Sequence, residues 1–309
     1  MLRQSREIKY AWIQKHREEF PLVLMCKVLN VPVSSFNSWL KLDPTDKAAE
    51  QKENTDLVKE TFGILKGNAG ARGIKGYLTN EKKVTMSRRK IARIMREQGL
   101  IVHTRKKFKK ASSAAINDPK IQPNLLKREF KVSYLNQVWV GDITQVKTQQ
   151  GWMYLATYID LYSRKVVGWA LESHMRSELI ETALKRALWN RKPPKGLMVH
   201  TDQGSQFISN AYRKLIAHWG IKQSMSRRGN CWDNAVIESF FKSFKTETVY
   251  QLTKLIDQQE MRWLVSEYMG HYNHIRPHSS NGYIAPAKFE QIRLDRLKEI
   301  EENLGTKKC

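Results

Sequence analysis

The spacing of hydrophobic residues changes near residue 136. Before this point apolar side chains recur at the intervals of helices, and after it short apolar runs alternate with helical stretches. The second half of the chain is predicted to form strands at 138–146, 152–161, 165–171, 197–201 and 221–225. Helices are predicted at 177–189, at 210–219 and from 233 onward, with Ser177 and Asp233 as N-caps. This order predicts an α/β domain in which the first three strands, joined by short links, form an antiparallel meander.

The first 42 residues are predicted to be helical. Ile8, Ala11, Trp12 and Ile13 share one face of a first helix, and Pro32 separates two later ones. Ser34 or Ser35 is the predicted cap of the third helix, a polar linker follows from residue 43, and another helix covers 54–66. The rhythm is that of a helix-turn-helix, but an ordinary helical hairpin fits as well. The scarcity of basic side chains in the would-be recognition helix favours the hairpin.

Residues 84–100 carry a clearer helical pattern. Ser87 is a predicted N-cap and Gly99 a predicted C-terminal stop, with Ile91, Ile94 and Met95 as the buried stripe. From residue 82 to residue 110 there are 12 basic side chains and one acidic one. A solvated basic helix would show the same charge, but the cluster favours a helix that contacts DNA. The predicted DNA contacts in this region are Arg88, Arg89, Lys90, Arg93, Arg96, Lys106 and Lys107.

Five regions are predicted along the chain. An N-terminal helical, helix-turn-helix-like segment (1–50) precedes a helix-turn-helix-like DNA-binding domain (51–110). A basic linker (111–132) leads to the catalytic core (133–292), and a C-terminal tail (293–309) ends the chain. The linker contains Pro119 and Pro123, and it either follows a DNA backbone or only separates the domains.

The charge balance narrows the choice of partner. The chain has 309 residues and a formal charge of +24, which indicates a polyanionic ligand, nucleic acid first. Residues 1–135 hold 29 basic and 13 acidic side chains, and the remainder holds 25 and 17. Most of the positive charge therefore precedes the α/β domain, as expected for a DNA-gripping region attached to a catalytic core.

The cysteines and histidines count against a disulfide-bonded protein and against a zinc site. The three cysteines are widely separated, so they predict neither a disulfide framework nor a zinc site. The start of the chain resembles no signal peptide, and no apolar run reaches membrane-spanning length, so a cytoplasmic protein without a membrane partner is expected. His271, His274 and His278 are crowded, but structural or DNA contacts fit them better than zinc because Pro277 breaks the helical register.

Three acidic residues carry the candidate chemistry. Asp142 interrupts the apolar first strand, Asp202 follows the fourth, and Glu238 lies on the last predicted helix. Carboxylates at these places can meet at one point and hold two Mg²⁺ ions, with Mn²⁺ as an alternative, because hard divalent cations bind carboxylate oxygen. Two such ions flank an in-line displacement at phosphorus. The trio is therefore predicted to be both catalytic and metal-binding.

Two lysines share the helix face of Glu238. Lys242 and Lys245 lie four and seven residues after it. They form either a surface Glu–Lys arrangement or contacts to DNA phosphates beside the metals, and the second is the prediction. Asp233 is interpreted as a helix cap rather than a ligand, and Asp160 is not required by a complete trio.

These residues resemble a known superfamily. Asp142, Asp202 and Glu238, with 59 and 35 intervening residues and Lys245 behind them, resemble the D,D(35)E pattern of retroviral integrases. The sequence motifs around these acids resemble those of the transposases of the bacterial IS3 insertion-sequence family. The matching motifs lie at 138–144, 151–156, 160–164, 200–204, 233–242 and 272–278.

The resemblance implies a ribonuclease-H-like (integrase) catalytic core with a mixed five-stranded sheet, preceded by a helical, helix-turn-helix-like DNA-binding region. It also implies a metal-dependent DNA transposase that nicks an element end and joins the freed 3′-hydroxyl to a second DNA site. The expected partners are double-stranded DNA, both terminal repeats and target, and further copies of the chain on DNA. Such a chain is often the downstream product of a frameshifted pair, so an upstream reading-frame product is another expected partner.

Two alternatives stay open. A ribonuclease-H-like nuclease or resolvase would use the same fold and metals without joining strands. A regulator derived from a transposase would bind DNA without catalysis, although the intact trio counts against it.

Overall fold

The computed structural model describes residues 4–40, 44–103, 119–227 and 230–305. The strands are β1 (Val138–Thr148), β2 (Gly151–Asp160), β3 (Val166–Glu172), β4 (Met198–Thr201) and β5 (Lys222–Met225). The first six helices are α1 (Arg6–Lys15), α2 (Leu22–Val28), α3 (Val33–Leu40), α4 (Pro44–Ile64), α5 (Ala71–Tyr77) and α6 (Arg88–Glu97). The later helices are α7 (Ser177–Arg191), α8 (Asn210–His218), α9 (Ala235–Glu247), α10 (Gln258–His274) and α11 (Pro286–Gly305).

The five strands form one mixed sheet in the order β3-β2-β1-β4-β5. β1, β2 and β3 pair antiparallel through short turns, whereas β4 lies parallel to β1 and β5 lies parallel to β4. The parallel pairs require crossover connections, and helices α7 and α8 supply them. The predicted mixed five-stranded sheet is therefore confirmed.

The two faces of the sheet are covered by different helices. Val138, Val140 and Val146 of β1 pack with α9 and α10 on one face. Trp139 of β1 and Val199 of β4 pack with α7 and α8 on the other. The alternation of side chains along β1 thus assigns every second residue to the α9 side.

Residues 1–60 form a compact unit of their own. Its core contains side chains from α1, α2 and α3, and the buried ammonium of Lys9 donates to the carbonyl oxygen of Leu29 at 2.9 Å. The predicted cap at Ser34 or Ser35 is wrong, because α3 begins at Val33 and both serines lie inside it. The predicted polar linker from residue 43 is also wrong, because α4 begins at Pro44.

Residues 61–309 form the second unit. Within it α6 begins as predicted: the Ser87 hydroxyl accepts from the amide of Lys90 at 3.1 Å. Gly99 follows the helix at φ +62°, a left-handed conformation that glycine adopts without strain. Ile91, Ile94 and Met95 are buried, so the predicted apolar stripe is confirmed.

The segment that carries α5 and α6 is fastened to the last two helices by paired charges. Lys66 binds Glu267 and Lys288 binds Glu81, each at 2.6 Å. Gly76 lies so close to Tyr283 that a Cβ at this position would be 2.2 Å from the tyrosine Cβ. The start of the second unit therefore packs directly against its end.

The described part of the predicted linker, residues 119–132, is docked on the catalytic core. Leu126 is buried in the core beside α9, and the Ser224 hydroxyl accepts from the amide of Leu125 at 2.9 Å. This stretch is therefore not a free spacer. Toward the other terminus, α11 extends helix through residue 305, into the region predicted as a tail. The predicted domain boundaries themselves stay predictions.

Candidate active site

Asp142 lies in β1, and Asp202 directly follows the neighbouring parallel strand β4. Val140 of β1 is paired with His200 of β4, and each aspartate comes two residues later. Parallel strands lie about 4.8 Å apart, so continuing this register brings the two aspartates side by side. Because Val140 faces α9, Asp142 two residues on faces α9 as well.

Glu238 reaches this place from α9. It is the fourth residue of a helix that packs on the same face of the sheet through Ile237, Phe240 and Phe241. Asn234, directly before the helix, donates its side-chain amide to the carbonyl oxygen of Gly141 at 3.3 Å. This bond ties the start of α9 to the residue that precedes Asp142.

Gly141 itself is required by a close approach. A Cβ here would lie 2.4 Å from the ring of Tyr158, its partner across the strands. That ring cannot move aside easily, because it is buried and its hydroxyl donates to the hydroxyl of Tyr212 at 3.1 Å. Any larger residue at position 141 would displace β1 beside Asp142.

The charges of Asp202 and Glu238 act on each other. The pKa of Asp202 is raised, first because surrounding protein displaces water from its carboxyl group and second because Glu238 is a like charge nearby. The amide of Gly204, which donates to Asp202 Oδ1 at 2.9 Å, acts in the opposite direction. Asp202 nevertheless keeps an exposed surface, so it remains accessible to a cation or a substrate.

The donor set suits a divalent cation, although the carboxylates do not form a closed cage. Among the described residues, no three His, Cys, Asp or Glu side chains lie close enough together to qualify as a metal-binding group. Mutual repulsion opposes a closer approach of like charges. Three carboxylates directed to one side of the sheet are, however, the hard oxygen donors that Mg²⁺ and Mn²⁺ prefer.

Lys245 lies within electrostatic reach of Asp142. It is half-buried on α9, and loss of water lowers its pKa while the charge of Asp142 opposes that change. Lys242 is exposed on the same helix. Both residues therefore extend from the helix that carries Glu238, and their contacts to DNA stay predictions.

Asp233 is not the helix cap that the sequence predicts. Its carboxylate is fully buried and accepts from Arg227 at 2.9 to 3.0 Å, from Arg128 Nε at 2.7 Å and from Asn124 Nδ2 at 2.8 Å. These bonds, those to Arg227 first, hold the pKa of Asp233 well below its usual range. Asp233 instead fastens residues 119–132 and the loop at Arg227 to the start of α9.

The remaining sequence predictions divide into surface residues and residues outside the described ranges. On α6, Arg88, Arg89, Arg93 and Arg96 are exposed, and Lys90 is half-buried. Lys106 and Lys107 lie outside the described residues. Likewise Ser177 is the first residue of α7 and not its cap, since Arg176 holds the cap position without a side-chain bond.

His200 is a structural partner of β5. One ring nitrogen lies 2.8 Å from the Ser224 hydroxyl and the other 3.1 Å from the Ser226 hydroxyl. Burial lowers the pKa of His200 to about 4, so the ring is neutral at pH 7. Sequence reasoning missed Asn234 and Arg227. The word Asp233-Asn234-Ala235 was visible, but nothing in the sequence shows which carbonyl the amide would reach.

Family comparisons agree with this geometry. Models described as "Integrase core domain" match residues 134–231 and 219–286, and one described as "HTH-like domain" matches residues 49–108. The predicted ribonuclease-H-like (integrase) fold and the preceding helix-turn-helix-like region are thereby confirmed.

Similar proteins include the transposase InsF for insertion sequence IS3A of Escherichia coli K12. It is 37% identical over 296 residues, which cover 93% of this chain and 100% of that protein. A 31 kDa protein of insertion element IS600 from Shigella sonnei, named as uncharacterized, is 35% identical over 86% of this chain and 97% of its own length. Among solved structures, the HTLV-2 integrase catalytic core domain in complex with magnesium is 18% identical, with a TM-score of 0.41. The match covers 50% of this chain and 96% of that one.

Proposed function

Because this chain belongs to the IS3 family of insertion-sequence transposases, we propose that Asp142, Asp202 and Glu238 form its DNA strand-transfer site. The observation that carries the proposal is the matched register of β1 and β4. It aligns Asp142 with Asp202 on the face that α9 covers, where loss of water and then the charge of Glu238 raise the pKa of Asp202. Acids crowded in this way gain most from a cation shared between them.

The chain is a polynucleotidyl transferase of the acidic-triad class. The three carboxylates fit two divalent ions, Mg²⁺ or Mn²⁺. When bound, such ions activate the attacking oxygen and stabilise the leaving one. The carboxylates orient the site by offering oxygen ligands from two strands and one helix, while Asn234 and Asp233 hold the start of that helix. Lys245 binds a DNA phosphate beside Asp142.

A hydrolysis and a transesterification follow from this arrangement. In the first, water attacks a phosphorus at the element end, the bond to the 3′ oxygen breaks, and that oxygen leaves as a hydroxyl. In the second, the freed 3′-hydroxyl attacks another phosphodiester, one P–O bond forms and one breaks, and the strands are joined. The second step needs no external energy source such as a nucleoside triphosphate, because one phosphodiester replaces another.

Recognition of DNA is assigned to the front of the chain. The exposed arginines of α6 and the basic stretch after it bind the element's terminal repeats, and the core binds the target. Joining two ends requires more than one copy, so the chain assembles on DNA as a homo-oligomer. An upstream reading-frame product and a cytoplasmic location are further parts of the proposal. None of the helices in the described ranges is long and apolar enough to cross a membrane.

Strand joining by a Glu238→Gln variant tests the site. The protein is incubated with Mg²⁺ or Mn²⁺ and a labelled duplex that carries the element's own terminal sequence. Losing one metal ligand removes several kcal/mol of transition-state stabilisation, so we expect joined product to fall by about a thousandfold. Glu178→Gln is the matched control, since Glu178 is an exposed glutamate in the first turn of α7.

Three results would contradict the proposal. Cleavage without joining in the unaltered protein indicates a nuclease or resolvase. Binding without either reaction, also when the upstream product is supplied, indicates a regulator. Full joining by Glu238→Gln would show that the site lies elsewhere.

A further inference from the structure

A cavity of about 530 Å³ lies behind the catalytic helix, between the segment that carries α5 and the end of α10. Its walls include Asn68 and Gly73 on one side and Ser239 of α9 on the other. We refer to it as the junction cavity. Ser239 follows Glu238 directly and lines the cavity, whereas Glu238 does not, so the cavity lies on a different side of α9 from Glu238.

Residues from two sequence motifs that the catalytic proposal does not use line this cavity. Arg164 ends the motif at 160–164, and Tyr272, Arg276 and His278 belong to the motif at 272–278. They surround one space although more than a hundred residues separate them in the chain. A shared ligand would explain why both motifs provide polar and cationic groups at this point.

His271 is the first sign that a polar partner is missing at this wall, although both of its ring nitrogens are buried from solvent. It lines the cavity, only 6% of its surface is exposed, and neither ring nitrogen has a hydrogen-bond partner among the described residues. Buried polar groups in folded proteins are almost always bonded. Burial lowers the pKa of His271 to about 4, and the charges of Lys66 and Arg276 lower it further. The charges of Glu247 and Glu267 act in the opposite direction, and the ring is neutral at pH 7.

Arg164 is the second sign. Its guanidinium donates to the carbonyl oxygen of Phe130 at 3.1 Å and lines the cavity, but within the described ranges it forms no salt bridge with a carboxylate. Arg276, by contrast, is paired with Glu247 at 2.6 Å, and Lys66 with Glu267. Within the described ranges Arg164 therefore lacks the direct carboxylate partner that Arg276 and Lys66 have, and the acid whose charge acts on it is Asp160.

We propose that the junction cavity binds a phosphate group, with Arg164 as its principal cation and the exposed hydroxyls of Ser239 and Ser279 as hydrogen-bond donors. A planar guanidinium offers paired N–H groups that match phosphate oxygens. The volume admits a phosphate together with its sugar. The phosphate comes either from the DNA backbone or from a free phosphate compound, and the experiment below separates these sources.

With DNA as the source, the cavity gives the strand a route from the DNA-binding segment to the catalytic helix. One wall belongs to the segment that precedes α6, and the other belongs to α9. This use of the cavity rests on the proposed function, because it assumes that DNA is the substrate. A phosphate held here fixes the position of the strand relative to Glu238 without contributing to the chemistry.

DNA affinity is measured by fluorescence anisotropy as a function of salt, in EDTA, where no strand transfer occurs. Losing one phosphate contact lowers the slope of log K against log [salt] by about 0.9. We expect this loss for Arg164→Gln, whose amide can still donate to Phe130. Arg186→Gln is the matched control, because Arg186 also donates to a backbone carbonyl, that of Trp169 at 3.0 Å, but lies outside the cavity.

A second pair of variants protects the test against misfolding. Ser279 is exposed at the cavity, so Ser279→Asp introduces a negative charge and Ser279→Asn is its neutral counterpart. We expect the aspartate variant to bind DNA several-fold more weakly than the asparagine variant. Thermal unfolding of all four variants confirms that they are folded.

The source of the phosphate follows from a parallel measurement. Suppose that the DNA salt slope does not change but inorganic phosphate raises Tm for the unaltered protein and not for Arg164→Gln. The site then takes a free phosphate compound. The inference would be overturned by three results together. Arg164→Gln would show the same salt slope as Arg186→Gln, phosphate would not change Tm, and the two Ser279 variants would bind DNA equally. Strand joining by Glu238→Gln is scored separately, so the proposed function stands or fails independently.

Discussion

Asp233 and Asp202 are both surrounded by protein, yet their pKa values shift in opposite directions. Asp233 is fully buried and bonded by Arg227, Arg128 and Asn124, so its charge is compensated within the chain. Asp202 keeps an exposed surface, and its neighbour is another acid, Glu238. The difference separates an acid that holds the structure together from one whose compensation must come from outside.

Asp160 supports the same distinction. It is fully buried, and backbone amides of Asn136, Tyr162 and Ser163 donate to its carboxylate at 2.6 to 3.0 Å. Burial raises its pKa, but those amides oppose the change. Its bonds close the turn after β2, which is a structural role. Burial alone therefore does not mark a catalytic acid, and the kind of neighbour does.

Removing the charge of Asp233 is expected to give the largest change in stability. Asp233→Asn leaves Arg227 and Arg128 without their carboxylate, at a cost of about 2–3 kcal/mol; this is modest for a buried pair because both arginines reach solvent. Urea denaturation at pH 7 measures it. Asp295→Asn, at an exposed aspartate that accepts one bond from Gln291, is the control and should change little.

The pH dependence of that loss is fixed in sign. The folded-state pKa of Asp233 is depressed, so its contribution is complete above its unfolded value near about 4 and is lost as pH falls toward the folded value. The difference between the unaltered protein and Asp233→Asn should therefore shrink below about pH 4. A constant difference across that range would mean that the ion pairs do not hold the loop.

Substitution of Lys245 tests how much a lysine of the chain contributes to strand joining at the proposed site. Lys245→Gln removes the half-buried cation beside Asp142, and we expect strand joining to fall by about tenfold, the value of one charged phosphate contact. Lys242→Gln, at an exposed position on the same helix, should cost about threefold or less. Lys185→Gln, on the opposite face of the sheet, is the control. Equal losses of strand joining in Lys245→Gln and Lys242→Gln would contradict the prediction that Lys245 makes the stronger phosphate contact.

The smallest expected effect is a gain. Asp202→Asn should stabilise the protein in EDTA at pH 7 by at most about 1 kcal/mol, because it removes repulsion from Glu238 and water screens an exposed carboxylate. The folded-state pKa of Asp202 is raised. Its ionisation therefore costs stability above that pKa, and the gain should vanish below about pH 4.

Mg²⁺ completes this test. Thermal unfolding should show that Mg²⁺ stabilises the unaltered protein and has little effect on Asp202→Asn. A variant that is less stable than the unaltered protein in EDTA would mean that Asp202 is compensated internally, as Asp233 is. The distinction between the two acids would then fail.

Much of the fold followed from local pattern. The strands, the helix α6 with its Ser87 cap, and the spacing of the three acids were predictable because each depends on residues close in the chain. The roles of Ser34, Ser35, Ser177 and Asp233 as caps were wrong, because a capping residue is recognised by type and the competing partners are distant. Asp233 had two distant partners, Arg128 and Asn124, besides Arg227, and a cap offers less than a buried ion pair with arginine.

The sequence by itself determined which chemical groups this protein contains: one acid in a strand, one directly after a strand and one on a helix, with a basic helix before them. It also determined the family to which the chain belongs. Only the tertiary structure decided which acid is compensated, which carbonyl Asn234 reaches, and that Arg164 and His271 meet at one cavity. The physical reason is that periodicity and spacing report local geometry. Charge compensation depends on side chains that folding brings together from far along the chain.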